Sequence, residues 1–194
     1  GNEPSEANVT IDPTGAKWSH WLGYILPEGD AMGVFEGGKY KNSGVYRPSD
    51  GSKMNGGPGD CHSLSNDCGH NMVAIEKIIH DFYDLVDPID SLTDTTATLI
   101  DPAYLSLTLI DSTISMVDWI IDGDTILPYG PTQLNLAEHL STPGNYIVTA
   151  RVWDEVIAHA FSDNTYPHPL DLVRTGLDKL EKSVSWSIEI TADF

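Results

Sequence analysis

From about residue 96 onward, apolar side chains return at every second position, and that period is the strongest constraint on how this chain folds. Leu105, Leu107 and Leu109 alternate with polar residues. Val117, Trp119 and Ile121 do the same before Asp122-Gly123 offers a turn. Leu134 and Leu136 continue the pattern. After Gly144 come Tyr146, Val148, Ala150 and Val152, and near the end Val184, Trp186, Ile188 and Ile190. A period of two sends successive side chains to opposite faces of a strand, so each run has one face to bury. Short, regularly spaced strands with turn signals predict an antiparallel β-sandwich. Trp119 on a middle strand suits an immunoglobulin-like plan, without that plan's inter-sheet disulfide. Between the last two strands, Leu170, Val173, Leu177 and Leu180 suggest a short helix, which Gly176 weakens.

Residues 70–86 follow another period. Met72, Ile75, Ile79, Phe82 and Val86 recur at steps of three and four and predict one apolar helix face, with Asn71 as N-cap. Pro88 stops the helix, and VDPID forms a hinge. A domain boundary is therefore expected near residue 90, giving domains 1–90 and 91–194. The fold class expected is α+β: a loop-rich first part with one main helix, then the sandwich. Residues 15–69 carry the turn signals Gly37-Gly38, Asn42-Ser43-Gly44, Asp50-Gly51 and Gly56-Gly57-Pro58-Gly59. They also carry Trp18, Trp21, Tyr24, Phe35, Tyr40 and Tyr46, more aromatic surface than a linker holds.

Composition excludes whole classes of function. The chain has 194 residues, 40% of them hydrophobic and 20% charged, enough to build a core. Ten Lys+Arg against 29 Asp+Glu leave a net charge of −19. Such a surface repels phosphate backbones and anionic lipid, so neither nucleic acid nor a membrane surface is expected as a partner. No stretch approaches the roughly 18 apolar residues of a membrane span. The chain opens on GNEPSEANVT, without an initiator Met or an apolar leader core, which reads as a mature form or an excised piece. Asn8-Val9-Thr10 matches a glycosylation sequon.

Little in the chain announces chemistry on its own. Cys61 and Cys68, in GDCHSLSNDCGH, form a disulfide candidate. Free thiols and a metal site with His62 and His70 remain the alternatives. The seven histidines are scattered, no two are four residues apart, and there is no HExxH. There is no Gly-x-Ser-x-Gly elbow and no phosphate-binding loop. Asp122-Gly123-Asp124 is a plain strand turn rather than a calcium loop.

One stretch is more specific. GVFEGGKYKNSGVYRPSDGSKM, residues 33–54, resembles the IgA-peptidase family of secreted bacterial zinc metallopeptidases. Gly33, Phe35, Glu36, Gly37, Tyr40, Gly44, Tyr46, Arg47 and Pro48 stand in the places of that family's G-x-F-E-G-x-x-Y-x-x-x-G-x-Y-R-P phrase. Met54 resembles the Met of its Met-turn. EPSEANVT and KWSHWLG, within residues 3–23, resemble the segment after the zinc motif. The cysteine loop and helix 70–86 resemble the end of the metzincin-like catalytic domain, and the sandwich the β-domain that follows.

The resemblance implies zinc-dependent endoproteolysis of a protein or peptide substrate by a secreted or cell-surface bacterial enzyme. The family's two zinc-binding histidines and its general-base glutamate belong to an HExxH that this sequence lacks. The implied zinc therefore belongs to a parent enzyme, and no metal ligand or cofactor is assigned to this chain. Ser52 stands where the family has a cysteine near the Met-turn. What the resemblance leaves for this chain is support: Met54 as an apolar floor, Tyr46 or Tyr40 as an oxyanion donor, Glu36 bracing the cleft, and Arg47 holding a substrate carboxylate or an ion pair.

Two readings follow. In the first, the chain is the C-terminal portion of a secreted zinc metalloendopeptidase, inactive alone, whose uncovered cleft wall would favour self-association. In the second, it is a non-enzymatic binding module for glycan or protein, with Trp18 and Trp21 as anchors.

Overall fold

The computed structural model describes residues 1–26, 29–53, 69–163 and 168–191. They are mostly β-structure with one main helix. In chain order the strands are β1 (Phe35–Gly38), β2 (Lys41–Arg47), β3 (Ile89–Leu92), β4 (Leu99–Ile100), β5 (Tyr104–Leu109), β6 (Ser115–Ile121), β7 (Asp124–Leu127), β8 (Gln133–Asn135), β9 (Gly144–Asp154) and β10 (Glu181–Ile190). Helix α1 spans Met72–Tyr83, between β2 and β3. No helix among the described residues is long and apolar enough to cross a membrane.

The chain forms two units, and the first is discontinuous in sequence. It combines Gly1–Phe82 with Ala158–Leu177; the second combines Tyr83–Ile157 with Asp178–Phe194. The segment between β9 and β10 thus contributes most of its length to the first unit.

The second unit holds two sheets, in the orders β3-β5-β8 and β4-β10-β9-β6-β7. All pairings are antiparallel except β4 with β10, which is parallel. Both sheets feed one buried cluster: Leu105 and Leu107 from β5, Leu134 from β8, and Trp119, Val148, Ala150, Val152, Trp186 and Ile188 from the larger sheet. These are the residues of the two-residue period, so alternation alone sorted their faces. Trp119 and Trp186 lie with ring centroids 5.8 Å apart and interplanar angle 31°. Each indole N–H meets a backbone carbonyl at 2.8 Å, Pro131 for Trp119 and Thr93 for Trp186. Asp122 and Gly123, at φ 49° and 95°, turn β6 into β7, as a two-residue hairpin loop of this twist requires. Gly130 is needed for space: a Cβ there would lie 2.9 Å from Trp119 Cδ1 and 3.0 Å from Leu127 Cγ. Gly130→Ala should cost about 1–3 kcal/mol of stability by overpacking, read as a lower urea midpoint. An unchanged midpoint would show that the turn gives way freely.

The first unit has a smaller core of Trp18, Trp21, Tyr24, Leu26, Met32, Met72 and Val73. Trp18 and Trp21, on a 3₁₀ stretch at Ala16–Trp21, are fully buried, so they are core residues and not exposed anchors. Asn71 caps α1 as expected, its Oδ1 accepting from Ala74 N–H at 3.0 Å. The buried face of the helix differs from the expected one. Met72, Val73 and Glu76 are buried, whereas Phe82 is 53% exposed and Val86 lies beyond the helix. The short helix expected over 170–180 is reduced to a 3₁₀ turn at Leu177–Leu180, because Gly176 takes a left-handed φ of 55° immediately before it.

Candidate functional site

The stretch resembling the peptidase phrase folds as the β1–β2 hairpin. Phe35 pairs with Arg47, Glu36 with Tyr46 and Gly38 with Lys41, the register shifting between Glu36 and Gly38. Gly37 absorbs that shift at φ 99°. Arg47 locks it: Nη1 donates to the carbonyls of Glu36 at 2.7 Å and Gly37 at 2.9 Å, and Nη2 pairs with Asp50 Oδ1 at 2.8 Å. The ion pair of Arg47 is therefore with Asp50, while Glu36 offers it a backbone carbonyl. The Glu36 carboxylate instead accepts from Gly44 N–H at 3.0 Å. Both groups are engaged in holding the hairpin.

The two tyrosines do not converge. Tyr46 sits at the open end of the hairpin, its backbone exchanging hydrogen bonds of 2.8 and 3.0 Å with Thr10. Tyr40 is fully exposed at the tip, about 15–20 Å away along the strand. Met54, Cys61, His62 and Cys68 lie outside the described residues. A cavity of about 50 Å³ beside the hairpin is lined by Asn8, Arg47, Ser49, Ser52 and Asn71 among others. That is room for a water or two, far from the roughly 300 Å³ of a small-ligand pocket. Among the described residues no three His, Cys, Asp or Glu come together to hold a metal ion. The hairpin offers one carboxylate, Glu36, whose Oε1 accepts from Gly44, and the guanidinium of Arg47, a cation that cannot ligate a metal.

Beneath the first unit's core lies a polar knot that periodicity could not reveal. Glu76 is 5% exposed. Its Oε2 meets His20 Nε2 at 2.7 Å and Trp21 Nε1–H at 2.9 Å. Its Oε1 accepts from the N–H groups of Arg174 and Thr175, both at 2.8 Å, and from Thr175 Oγ1 at 3.0 Å. Burial pushes the Glu76 carboxyl upward, but the hydrogen bonds from His20, Arg174 N–H and Trp21 outweigh it and hold the group at about 2. Arg174 also pairs with fully buried Asp171 at 2.5 Å and lies 4.5 Å over the Trp21 ring. The one signal in the sequence is a carboxylate four residues after Met72, on the apolar stripe.

A second feature is conformational. Among the described residues, six non-glycine residues have φ between 44° and 62°, and three of them are aromatic: Tyr40, Tyr129 and Phe161. All three are exposed, at 108%, 65% and 62%. Asp101 and Asp122, also in this group, accept the backbone N–H groups of Thr191 and Ile147 on other strands or strand ends, and Asp enters this region more readily than an aromatic does. Lys39 and Tyr40 form the two-residue loop between β1 and β2, and the Phe161 ring lies 5.6 Å from the Arg174 guanidinium carbon; the left-handed conformation costs about 1–3 kcal/mol per aromatic residue. Tyr129 is held by Asp118, whose Oδ1 accepts its backbone N–H at 3.1 Å. Asp118 Oδ2 accepts from Trp153 Nε1–H at 2.9 Å and from Arg151 Nη1 at 3.4 Å. The Tyr129 ring meets Trp153 edge-on, centroids 5.4 Å apart. The available signal was the Tyr129-Gly130-Pro131 sequence just after β7.

No family model matches this chain, and no curated protein matches it. Among solved structures it is similar to the Bacteroides ovatus protein SGBP-B of a mixed-linkage glucan utilization locus, in complex with a mixed-linkage heptasaccharide. The identity is 16% and the TM-score 0.33, over 53% of this chain and 23% of that one. This chain thus spans about a quarter of the length of that protein.

Proposed function

We propose that this chain is a non-enzymatic binding module, secreted or displayed at a bacterial cell surface, that joins a peptidase-like loop unit to an immunoglobulin-like two-sheet unit. The observation that carries the reading is the set of exposed aromatics held in left-handed backbone. Strain kept at surface positions, where Asn or Gly would be easier, points to use of the side chain. The immunoglobulin-like assignment is supported by strand order, with β3-β5-β8 facing the core opposite β4-β10-β9-β6-β7 and the short β4 running parallel to β10. The roles of Glu36 and Arg47 in holding the hairpin speak against a catalytic use of that region.

The test is a glycan array probed with the purified chain and with a Tyr40→Asn/Tyr129→Asn/Phe161→Asn variant. Asn tolerates positive φ, so the variant should keep or raise its Tm while binding falls at least tenfold. Undiminished binding, or chelator-sensitive hydrolysis of casein by the chain alone, would overturn the reading.

A second reading keeps the chain as the C-terminal portion of a zinc endopeptidase, zinc and peptide substrate being held by the parent. It is favoured by the way residues 35–47 of the resembling phrase close into one hairpin locked by Arg47. It requires an HExxH in the coding sequence upstream of Gly1, which the first reading does not.

A further inference from the structure

We propose that the small polar cavity beside the β1–β2 hairpin is a binding site for a small monovalent anion of chloride size. The inference goes beyond the binding-module reading and does not depend on it. Every residue it uses belongs to the first unit.

Three separate stretches of that unit build the walls. Asn8 comes from the amino-terminal segment, Lys39 and Arg47 from the hairpin, Ser49 and Ser52 from the chain just after it, and Asn71 from the cap of α1. Ser49, Ser52 and Asn71 are buried, at 3%, 4% and 3% exposed. Asn71 is fixed from two sides: its Oδ1 accepts from Ala74 N–H at 3.0 Å, and its Nδ2 donates to Ser49 Oγ at 3.2 Å. One amide hydrogen and the Ser49 hydroxyl hydrogen are left to be accepted. Among the described residues the Ser52 hydroxyl has no hydrogen-bond partner, although its side chain is buried in the cavity wall. A buried hydroxyl is costly to leave in that state.

Charge selects the occupant. Lys39 and Arg47 line the cavity and no carboxylate does. Their acidic partners, Glu6 and Asp50, lie outside the lining. Asn71 also brings the N-terminus of α1, a helix of 12 residues, to the same wall, and the helix dipole is positive there. Two cations, a helix N-terminus and unspent hydroxyl donors, with no acid among them, form an exception in a chain of net charge −19. A water would meet the hydroxyls but leave the charge unanswered. A metal cation would find no carboxylate to hold it. A volume of about 50 Å³ suits an ion of about one or two water volumes.

The test compares urea midpoints of the whole chain in sodium chloride and in sodium gluconate at equal ionic strength, so that screening is the same. Chloride at ten times its dissociation constant should raise the folded-to-unfolded ratio of the first unit about tenfold. Chloride NMR should show the line broadened by wild type and by Lys77→Ala on α1, and broadened far less by Ser52→Ala. Ser52→Asp brings its own carboxylate into the cavity, so it should fold without chloride and gain nothing from it. A wild-type midpoint equal in the two salts, with Ser52→Ala lowering it equally in both, would mean an ordered water only and would sink the inference. Broadening that Ser52→Ala leaves unchanged would place the anion elsewhere. Stabilisation by sulfate and not by chloride would overturn the size. If Ser52→Ala does not fold, Ser52→Asp decides: a chloride response as large as that of wild type would show that the site is wrong.

Discussion

Replacing Glu76 with Gln should destabilise the first unit by about 3 kcal/mol, and Glu76→Ala by about 3–5 kcal/mol. The reason lies in donors that converge on one buried carboxylate. Arg174 N–H, Thr175 N–H and the Thr175 hydroxyl aim at Oε1, and the Trp21 indole N–H aims at Oε2. In either orientation the amide group of Gln turns an NH₂ toward at least one of these donors. The same carboxylate sets an acid dependence. Its pKa is lowered from 4.5 to about 2 on folding, so it contributes stability that is fully present above the unfolded value. That stability is lost as pH falls from about 5 toward 2. The difference amounts to about 3 kcal/mol. Urea midpoints at pH 7, 4 and 2 should therefore show the gap between wild type and Glu76→Gln narrowing progressively as acid is added. A gap that stays at its pH 7 size down to pH 2 would mean that packing, not the ionised carboxylate, is the stabilising element.

Trp186→Ala should cost the second unit about 3–5 kcal/mol. Trp186 is 1% exposed, packs against Trp119 and spends its indole N–H on the Thr93 carbonyl. Truncation removes the largest side chain that β10 places in the core and leaves a buried carbonyl without its donor. Trp186→Phe keeps most of the ring volume and should cost about half as much. Urea titration followed by near-ultraviolet circular dichroism reads both. A Trp186→Ala loss below about 1 kcal/mol would show that the sheets close over the space, and that the tryptophan pair does not set the core.

These two sites differ in how far the sequence foretold them. Trp119 and Trp186 sit in runs of period two, and alternation suffices to face them inward. The same rule recovers β5, β6, β9 and β10, and the Asp122-Gly123 turn marks β7. It misses β1 and β2, because FEGG and KNSGVYR carry no alternation and their pairing is held by Gly37 and Arg47. It misses Glu76 for a different reason. A carboxylate on a helix is read as solvent-facing until its partners are known, and Arg174 is 98 residues away in sequence. Phe82 shows the converse: helical period placed it inward, yet it is exposed, since the knot around Glu76 rotates the buried stripe toward Met72 and Val73. Tyr129 had no place in the sequence reading, since its backbone N–H is held by Asp118 on another strand, eleven residues earlier.

The discontinuous first unit has a consequence for how the chain is born. Glu76 and Trp21 leave the ribosome long before Arg174 and Thr175 do, and synthesis of the intervening 98 residues takes about 5–20 s at ordinary elongation rates. During that interval the helix presents a carboxylate whose backbone donors do not yet exist, while the strands from β3 to β9 are already emerging. The amino-terminal unit, made first, is therefore completed late, and its maturation is timed by a segment that interrupts its neighbour.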